Sequence, residues 1–177
     1  ASLGGVRVQP VQTSVLVAAG LVCLVIFLRL DGRAGSNRLL PTPPFSLRNT
    51  TGAALLMILS LSVATIALSA YGPLLATAIH GISALTAGYI VACSSIGWTV
   101  AAVLISGSPE RLDRQIIAAG ILLVVASVAG FVHAVPNGPV WLIAVLATME
   151  GAGFGLAWTF ILRRTTSLAD PQEVPRI

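Results

Sequence analysis

Long apolar runs alternate with short polar breaks along the chain, and this alternation is the main pattern in the sequence. A helix that crosses the ~30 Å hydrocarbon layer of a bilayer needs about 20 mostly apolar residues, because it rises 1.5 Å per residue. Five runs meet this description and predict membrane-spanning helices. They cover Thr13–Leu28, Gly52–Ala70 with a continuation to Ile79, Leu85–Ile105, Ile116–His133 and Val140–Leu162.

The breaks between these runs contain residues that end helices or form turns. Ser83 is placed to cap the third helix, and Ser106–Pro109 ends it. Val135–Pro139 predicts a tight turn, with Pro139 at the start of the fifth helix. Tyr71–Pro73 predicts a kink that interrupts the second span, because proline removes a helical hydrogen bond. The kink either flanks a substrate path or is a static bend near the outer surface.

One break is much longer than the others and divides the chain. Residues 1–30 are predicted to form a first transmembrane helix with an external amino end, and residues 31–50 an Arg-rich cytoplasmic linker. Residues 51–177 are then a four-helix transmembrane part with a cytoplasmic carboxyl end. The two ends do not resemble domain boundaries, so the sequence is interpreted as a fragment.

Composition supports the same class of protein. Hydrophobic residues make up 56% of the 177 residues, charged residues only 9%, and the mean hydropathy is +0.94. A soluble domain carries about 25% charged residues, so this chain cannot cover its surface with polar groups. The expected fold is therefore all-α and integral to a membrane.

The arginines are distributed unevenly between the two sides of the predicted membrane. The chain has a net charge of +4 and a pI near 10.0, which in a soluble protein would suggest nucleic acid. Here the basic residues lie between apolar runs, so they indicate how the chain is oriented in the membrane. A nucleic-acid partner is therefore not predicted. If the helices alternate in direction, only Arg7 lies on one side and the other nine arginines lie on the opposite, cytoplasmic side: Arg29, Arg33, Arg38, Arg48, Arg111, Arg114, Arg163, Arg164 and Arg176.

Glu150 is the ionisable residue placed well inside a predicted span, close to the middle of the bilayer. A charge at this depth costs at least ~2.5 kcal/mol on insertion scales. One interpretation is a group that couples transport to a proton or to a cationic substrate. The other is a protonated acid that bonds to a neighbouring helix, or faces a water-filled cavity, without a role in transport.

Other residues within the spans are candidates for packing or for lining a pathway. Ala147, Gly151 and Gly155 follow one another at four-residue spacing, a small-residue pattern that lets helix backbones approach closely, and the glycines also allow a bend. The pathway-lining candidates are polar or aromatic residues. In the alternative interpretation, these side chains only bond to their own helix or pack against their neighbours. They are Tyr71, Ser94, Ser95, Trp98 and Trp158.

The sequence contains no recognisable set of catalytic or metal-binding residues. Cys23 and Cys93 lie in different apolar runs, while His80 and His133 lack a third ligand. There is no phosphate-binding loop, dinucleotide-binding glycine pattern, nucleophile elbow or HExxH motif. Neither an enzyme nor a cofactor or metal is therefore predicted.

The break after the third helix, Gly107–Arg114, resembles the signature loop G-x-L-A-D-R-x-G-R of the major facilitator superfamily. Glu110 and Arg111 look like its acid–arginine pair, and Arg114 looks like its last arginine. The loop is one residue shorter, contains Pro109, and has Asp113 where glycine is usual. The resemblance implies a cytoplasmic gating loop formed by Gly107, Glu110, Arg111, Asp113 and Arg114.

Further stretches are similar to the multidrug branch of this superfamily, the 14-span type of drug:proton antiporter. They are Tyr71–Leu75, His80–Tyr89 and Gly151–Ala157. The resemblance implies twelve or fourteen spans in two bundles, of which this chain forms the start of the second. It also implies proton-coupled export of small molecules or drugs by alternating access.

The partners expected from this resemblance are the lipid bilayer of the cell membrane, the missing first-half helix bundle, a small-molecule substrate and protons. A different class of function also stays open. The chain is then a non-transporting membrane scaffold, or a subunit of a larger membrane complex.

Overall fold

The structure is a computed structural model that describes residues 10–35, 39–40 and 45–168. The described residues form five α-helices and one turn of 3₁₀ helix, Glu110–Leu112. The α-helices are α1 Pro10–Arg33, α2 Thr50–His80, α3 Ala84–Ile105, α4 Asp113–Asn137 and α5 Val140–Leu168. All five are long and apolar enough to cross a membrane, which confirms the predicted all-α membrane fold.

Several helices extend beyond the predicted spans. The spans were delimited by apolar residues alone, whereas helical hydrogen bonding continues into the polar residues at each end. Val135–Asn137 are helical, so the turn before α5 is reduced to Gly138 and Pro139. Helix α2 continues through Pro73 to His80, which confirms the predicted continuation of the second span to Ile79. The predictions for Arg7, Arg38 and Arg176 lie outside the described residues.

Local capping fixes the ends of α2 and α3. The Asn49 side chain accepts a hydrogen bond from the Gly52 N–H at 2.8 Å. Ser83 caps α3 as predicted, with its hydroxyl 3.1 Å from the Thr86 nitrogen. Gly81 closes α2 in the left-handed region at φ 63°, where glycine avoids the Cβ clash of other residues. The three-residue turn Gly81–Ser83 makes α2 and α3 antiparallel neighbours.

Helix α5 is the central helix of the bundle, with α3 on one side and α4 on the other. A Cβ atom on Gly151 or Gly97 would overlap backbone of the facing helix, Ser94 on α3 or Thr148 on α5. On the α4 side, a Cβ atom on Gly153 would lie 2.6 Å from the Gly120 carbonyl oxygen. These contacts are the close backbone approaches that hold helices together in lipid.

Helix α2 packs beside this three-helix core through larger side chains. Its Leu61 joins a buried cluster with Ile117 and Val124 of α4 and Phe160 of α5. At one end of the bundle, His80 Nε2 lies 2.8 Å from the Val135 carbonyl oxygen of α4. That oxygen belongs to the last turn of α4, whose carbonyls have few helical N–H donors left.

Helix α1 differs from the other four, because its apolar side chains are exposed along its length. Its buried residue is Asp31, whose carboxylate accepts a hydrogen bond from the Leu39 N–H at 2.6 Å. The apolar surface of α1 is therefore available to lipid or to other helices.

Candidate functional site

Glu150 lies near the middle of α5 and is only 3% exposed. The Ser94 hydroxyl of α3 donates a hydrogen bond to Glu150 Oε2 at 2.8 Å. The pair exists because Gly151 brings the backbones of α5 and α3 together at Ser94. The packing glycine therefore also sets the distance between the carboxylate and its donor.

Glu150 borders a small cavity between α2, α3 and α5, which we call the polar cavity. Its volume is about 200 Å³. Four hydroxyl groups and the carboxylate face it, together with two aromatic rings and a glycine. The lining residues are Thr65, Ser69, Ser94, Ser95, Trp98, Glu150, Gly151 and Phe154.

Pro73 changes the backbone at the wall of the polar cavity. Because proline has no N–H, the carbonyl of Ser69, four residues earlier, has no helical donor from Pro73. Ser69 lines the polar cavity. The hydrogen bond that Pro73 removes is therefore missing at the Ser69 carbonyl, one turn earlier in the sequence, while α2 itself stays continuous.

A second cavity, which we call the apolar cavity, has a volume of about 380 Å³ and lies between α2 and α4. Glu150 borders this cavity as well, and the other residues that line it are apolar. The lining residues are Ala64, Leu68, Gly72, Leu75, Val128, Phe131, Val132, Val135, Pro136 and Glu150. One buried carboxylate therefore lies at the boundary between a hydroxyl-lined space and an apolar space.

The predicted pathway residues fall into two groups. Ser94, Ser95 and Trp98 line the polar cavity. Within the described part of the chain, the walls of the two cavities do not include Tyr71 or Trp158. Tyr71 is 62% exposed on α2.

Trp158 belongs to an aromatic row behind the cavity wall. Its ring stacks on Phe154 at 5.4 Å between centroids, and Phe154 meets Trp98 edge to face at 5.5 Å. Trp158 therefore packs against the Phe154 ring that lines the polar cavity. The two remaining residues of the small-residue stripe also face α3 or the core: Gly155 lies against the Trp98 backbone, and Ala147 is fully buried.

The loop between α3 and α4 is joined to the end of α5. Asp113 is 2% exposed and forms an ion pair with Arg163. Arg163 also donates to the Ser108 carbonyl oxygen at 3.0 Å, and its guanidinium lies 4.4 Å from the centre of the Phe160 ring. The acid that forms this ion pair is thus Asp113, which stands where the resembling motif has glycine.

The other residues of the predicted gating loop are on the surface. Gly107, Glu110, Arg111 and Arg114 are all exposed. Their predicted gating role requires a partner surface beyond the helices of this chain.

Sequence reasoning missed several residues of the site. Thr65 and Ser69 line the polar cavity from α2, and their four-residue spacing in an apolar helix was a signal for one polar face. Gly153 packs against Gly120 on the side of α5 opposite Gly151. Arg163 was assigned only to topology, because its pairing with Asp113 joins residues far apart in sequence.

The chemistry available to the site is that of one carboxyl group with hydroxyl neighbours. Among the described residues, no group of three or more His, Cys, Asp or Glu side chains is arranged to hold a metal ion. A buried carboxyl group exchanges a proton, or pairs with a cation, when the surrounding helices admit water or a ligand.

Comparison with known proteins agrees with this architecture. The sequence model of the Major Facilitator Superfamily matches residues 4–177. The chain is 30% identical over 171 residues to probable multidrug-efflux transporters of two Mycobacterium tuberculosis strains, CDC 1551 and H37Rv. These matches cover 92% of the chain but only 35% of each relative. No solved structure matches the chain.

Proposed function

Because the chain belongs to the major facilitator superfamily, we propose that it forms the start of the second bundle of a proton-coupled exporter. The exporter moves small molecules out across the cell membrane by alternating access. The proposal depends on one observation, the buried Glu150 between the polar and apolar cavities. The printed names of the two mycobacterial relatives support an efflux function.

The chain spans about a third of the length of these relatives. The first-half bundle and the remaining spans of the second bundle are therefore the partners that complete the transporter. In this proposal, the exposed Glu110, Arg111 and Arg114 meet the first bundle. The Asp113–Arg163 ion pair fixes the loop that presents them.

Glu150 supplies the coupling step in this proposal. When the site opens outward, the carboxylate takes up a proton and becomes a neutral carboxylic acid. When the site opens inward, the acid releases the proton and the carboxylate accepts the Ser94 hydrogen bond seen here. A cationic substrate binds the ionised form, so substrate and proton exclude one another at one group.

The orientation follows from the arginines. Contacts place the α3–α4 loop and the carboxyl end of α5 at the same end of the bundle. Arg111, Arg114, Arg163 and Arg164 all belong to this end. By the positive-inside rule it faces the cytoplasm, and the amino end of the chain then lies outside.

Replacing Glu150 by glutamine in the full-length transporter tests the coupling role. The amide keeps the size of the side chain and cannot exchange a proton, so export driven by a pH gradient into proteoliposomes should fall to background. Glu150→Asp should retain part of the activity. Thr99→Ala is the control, because the exposed Thr99 hydroxyl donates to the Ser95 carbonyl of its own helix.

Two outcomes would contradict the proposal. Undiminished proton-driven export by Glu150→Gln removes this residue from coupling. A full-length protein that inserts normally and yet transports nothing across a panel of cationic and neutral drugs favours the scaffold function.

A further inference from the structure

A second feature of α2 lies next to the apolar cavity, with which it shares Ala64. Two cavities follow one another along α2, the first against α4 and α5 and the second against α4, and they share Met57. The first has a volume of about 170 Å³ and is lined by Thr50, Ala53, Ala54, Met57, Ile117, Ile161, Arg164 and Thr165. The second has a volume of about 330 Å³ and is lined by Leu56, Met57, Ser60, Leu61, Ala64, Ile121, Val124 and Val125. Together we call them the α2–α4 groove.

The groove matches one leaflet of a bilayer in length. It extends along α2 from Thr50 to Ala64, and at 1.5 Å per residue these fourteen steps span ~21 Å. Half of the hydrocarbon layer is ~15 Å, and the headgroup region adds to it. An acyl chain lying in the groove therefore runs from the headgroup level to the bilayer centre.

The chemistry of the groove differs between its two ends. Near Ala64 the walls are almost entirely apolar, whereas the other end carries the exposed guanidinium of Arg164 beside the hydroxyls of Thr50 and Thr165. The buried acid Asp113 is paired with Arg163. Arg164 presents an exposed positive group at the mouth of an apolar groove.

We propose that the α2–α4 groove binds one anionic phospholipid of the inner leaflet. The lipid phosphate pairs with Arg164, and one acyl chain lies between α2 and α4 past Met57. Arginine suits phosphate because its planar fork donates two parallel hydrogen bonds. Basic sites between transmembrane helices on the cytoplasmic side are suited to such headgroups. The proposal depends on the membrane topology and not on proton coupling.

The headgroup contact is tested with the full-length protein in detergent, by native mass spectrometry with added phosphatidylglycerol or phosphatidylcholine. The wild type should retain phosphatidylglycerol preferentially. Arg164→Gln should weaken that retention roughly tenfold or more, because it removes a charge-assisted hydrogen bond. Arg33→Gln is the matched control, since Arg33 is an exposed arginine outside the groove.

The acyl-chain contact needs a second variant that leaves Arg164 in place. Met57→Trp fills the point shared by the two cavities and should reduce phosphatidylglycerol retention as strongly as Arg164→Gln. Leu59→Trp is its control, because Leu59 is 49% exposed on α2 and does not line the groove. A phosphatidylglycerol with a photoreactive group in its acyl chain should label α2 or α4 in the wild type and not in Met57→Trp.

Several results would overturn the proposal. Equal retention of the two lipids removes the headgroup selectivity. Equal competition by free glycerol phosphate shows a simple anion site with no acyl-chain contact. Absence of labelling on α2 and α4 in the full-length wild type shows that other helices fill the groove.

Discussion

Helices α5 and α2 are both long and apolar, but they are held in the bundle in different ways. Helix α5 contacts α3 and α4 through glycines on two faces, Gly151 and Gly153, where backbone meets backbone. Helix α2 contacts the same core through side chains, and the polar cavity, the apolar cavity and the α2–α4 groove all lie along it. In lipid, apolar side chains gain little from mutual contact, so packing quality decides which helices are fixed. We infer that α3 and α4 are held against α5 more tightly than α2 is.

The same substitution in the two regions should therefore have opposite outcomes, and the largest effect belongs to α5. Gly151→Leu places a side chain where the Ser94 backbone already lies, and backbone cannot move aside as a side chain can. Overpacking costs ~1–3 kcal/mol and occasionally more, so we expect little folded full-length protein by fluorescence-detected size exclusion. Gly88→Leu is the control, since a Cβ at Gly88 of α3 meets nothing within 4 Å. Equal loss for both variants would contradict the tight α3–α5 contact.

The second effect concerns the hydrogen bond that joins α2 to α4. His80→Leu removes the donor to the part-buried Val135 carbonyl, so we expect a cost at or below the ~1–3 kcal/mol of a fully buried unsatisfied acceptor. We expect a lower thermal unfolding temperature for the full-length protein in detergent. His133→Leu, at an exposed histidine of α4, should leave that temperature nearly unchanged. A similar fall in unfolding temperature for both variants would show that the effect of His80→Leu does not come from the His80–Val135 hydrogen bond.

The smallest effect should be found where α2 is loosely packed. Ala64 borders both the apolar cavity and the α2–α4 groove, so in delipidated protein Ala64→Leu fills space instead of displacing atoms. We expect a gain of about 0.5–1 kcal/mol, seen as a slightly higher unfolding temperature. Ala92→Leu on the exposed side of α3 controls for the better membrane partitioning of leucine. Destabilisation by Ala64→Leu alone would mean that α2 is as tightly packed as α5.

Much of this fold was predictable because hydropathy and turn residues act locally. The five helices, the Ser83 cap and the close-packing stripe through Gly151 all follow from spacing within one segment. The differences also have local causes: apolar residues alone predict a shorter α4, and Pro73 removes a helical hydrogen bond without ending α2.

The parts of the site that sequence did not predict depend on which helix faces which. Ser94 and Glu150 were each noted, but their hydrogen bond requires the α3–α5 crossing. The Asp113–Arg163 pair likewise joins two helix ends that no local pattern relates. Thr65 and Ser69 form one polar face of α2. This face is recognised as part of the site only when the structure places it beside the Glu150 carboxylate of α5.

The contact between His80 and the Val135 carbonyl has an evolutionary consequence. Val135 lies in the last turn of α4, where helical N–H donors run out, and the imidazole from the other helical hairpin serves its carbonyl instead. Position 80 should therefore favour side chains that can donate a hydrogen bond among homologues in which these two hairpins meet in the same way.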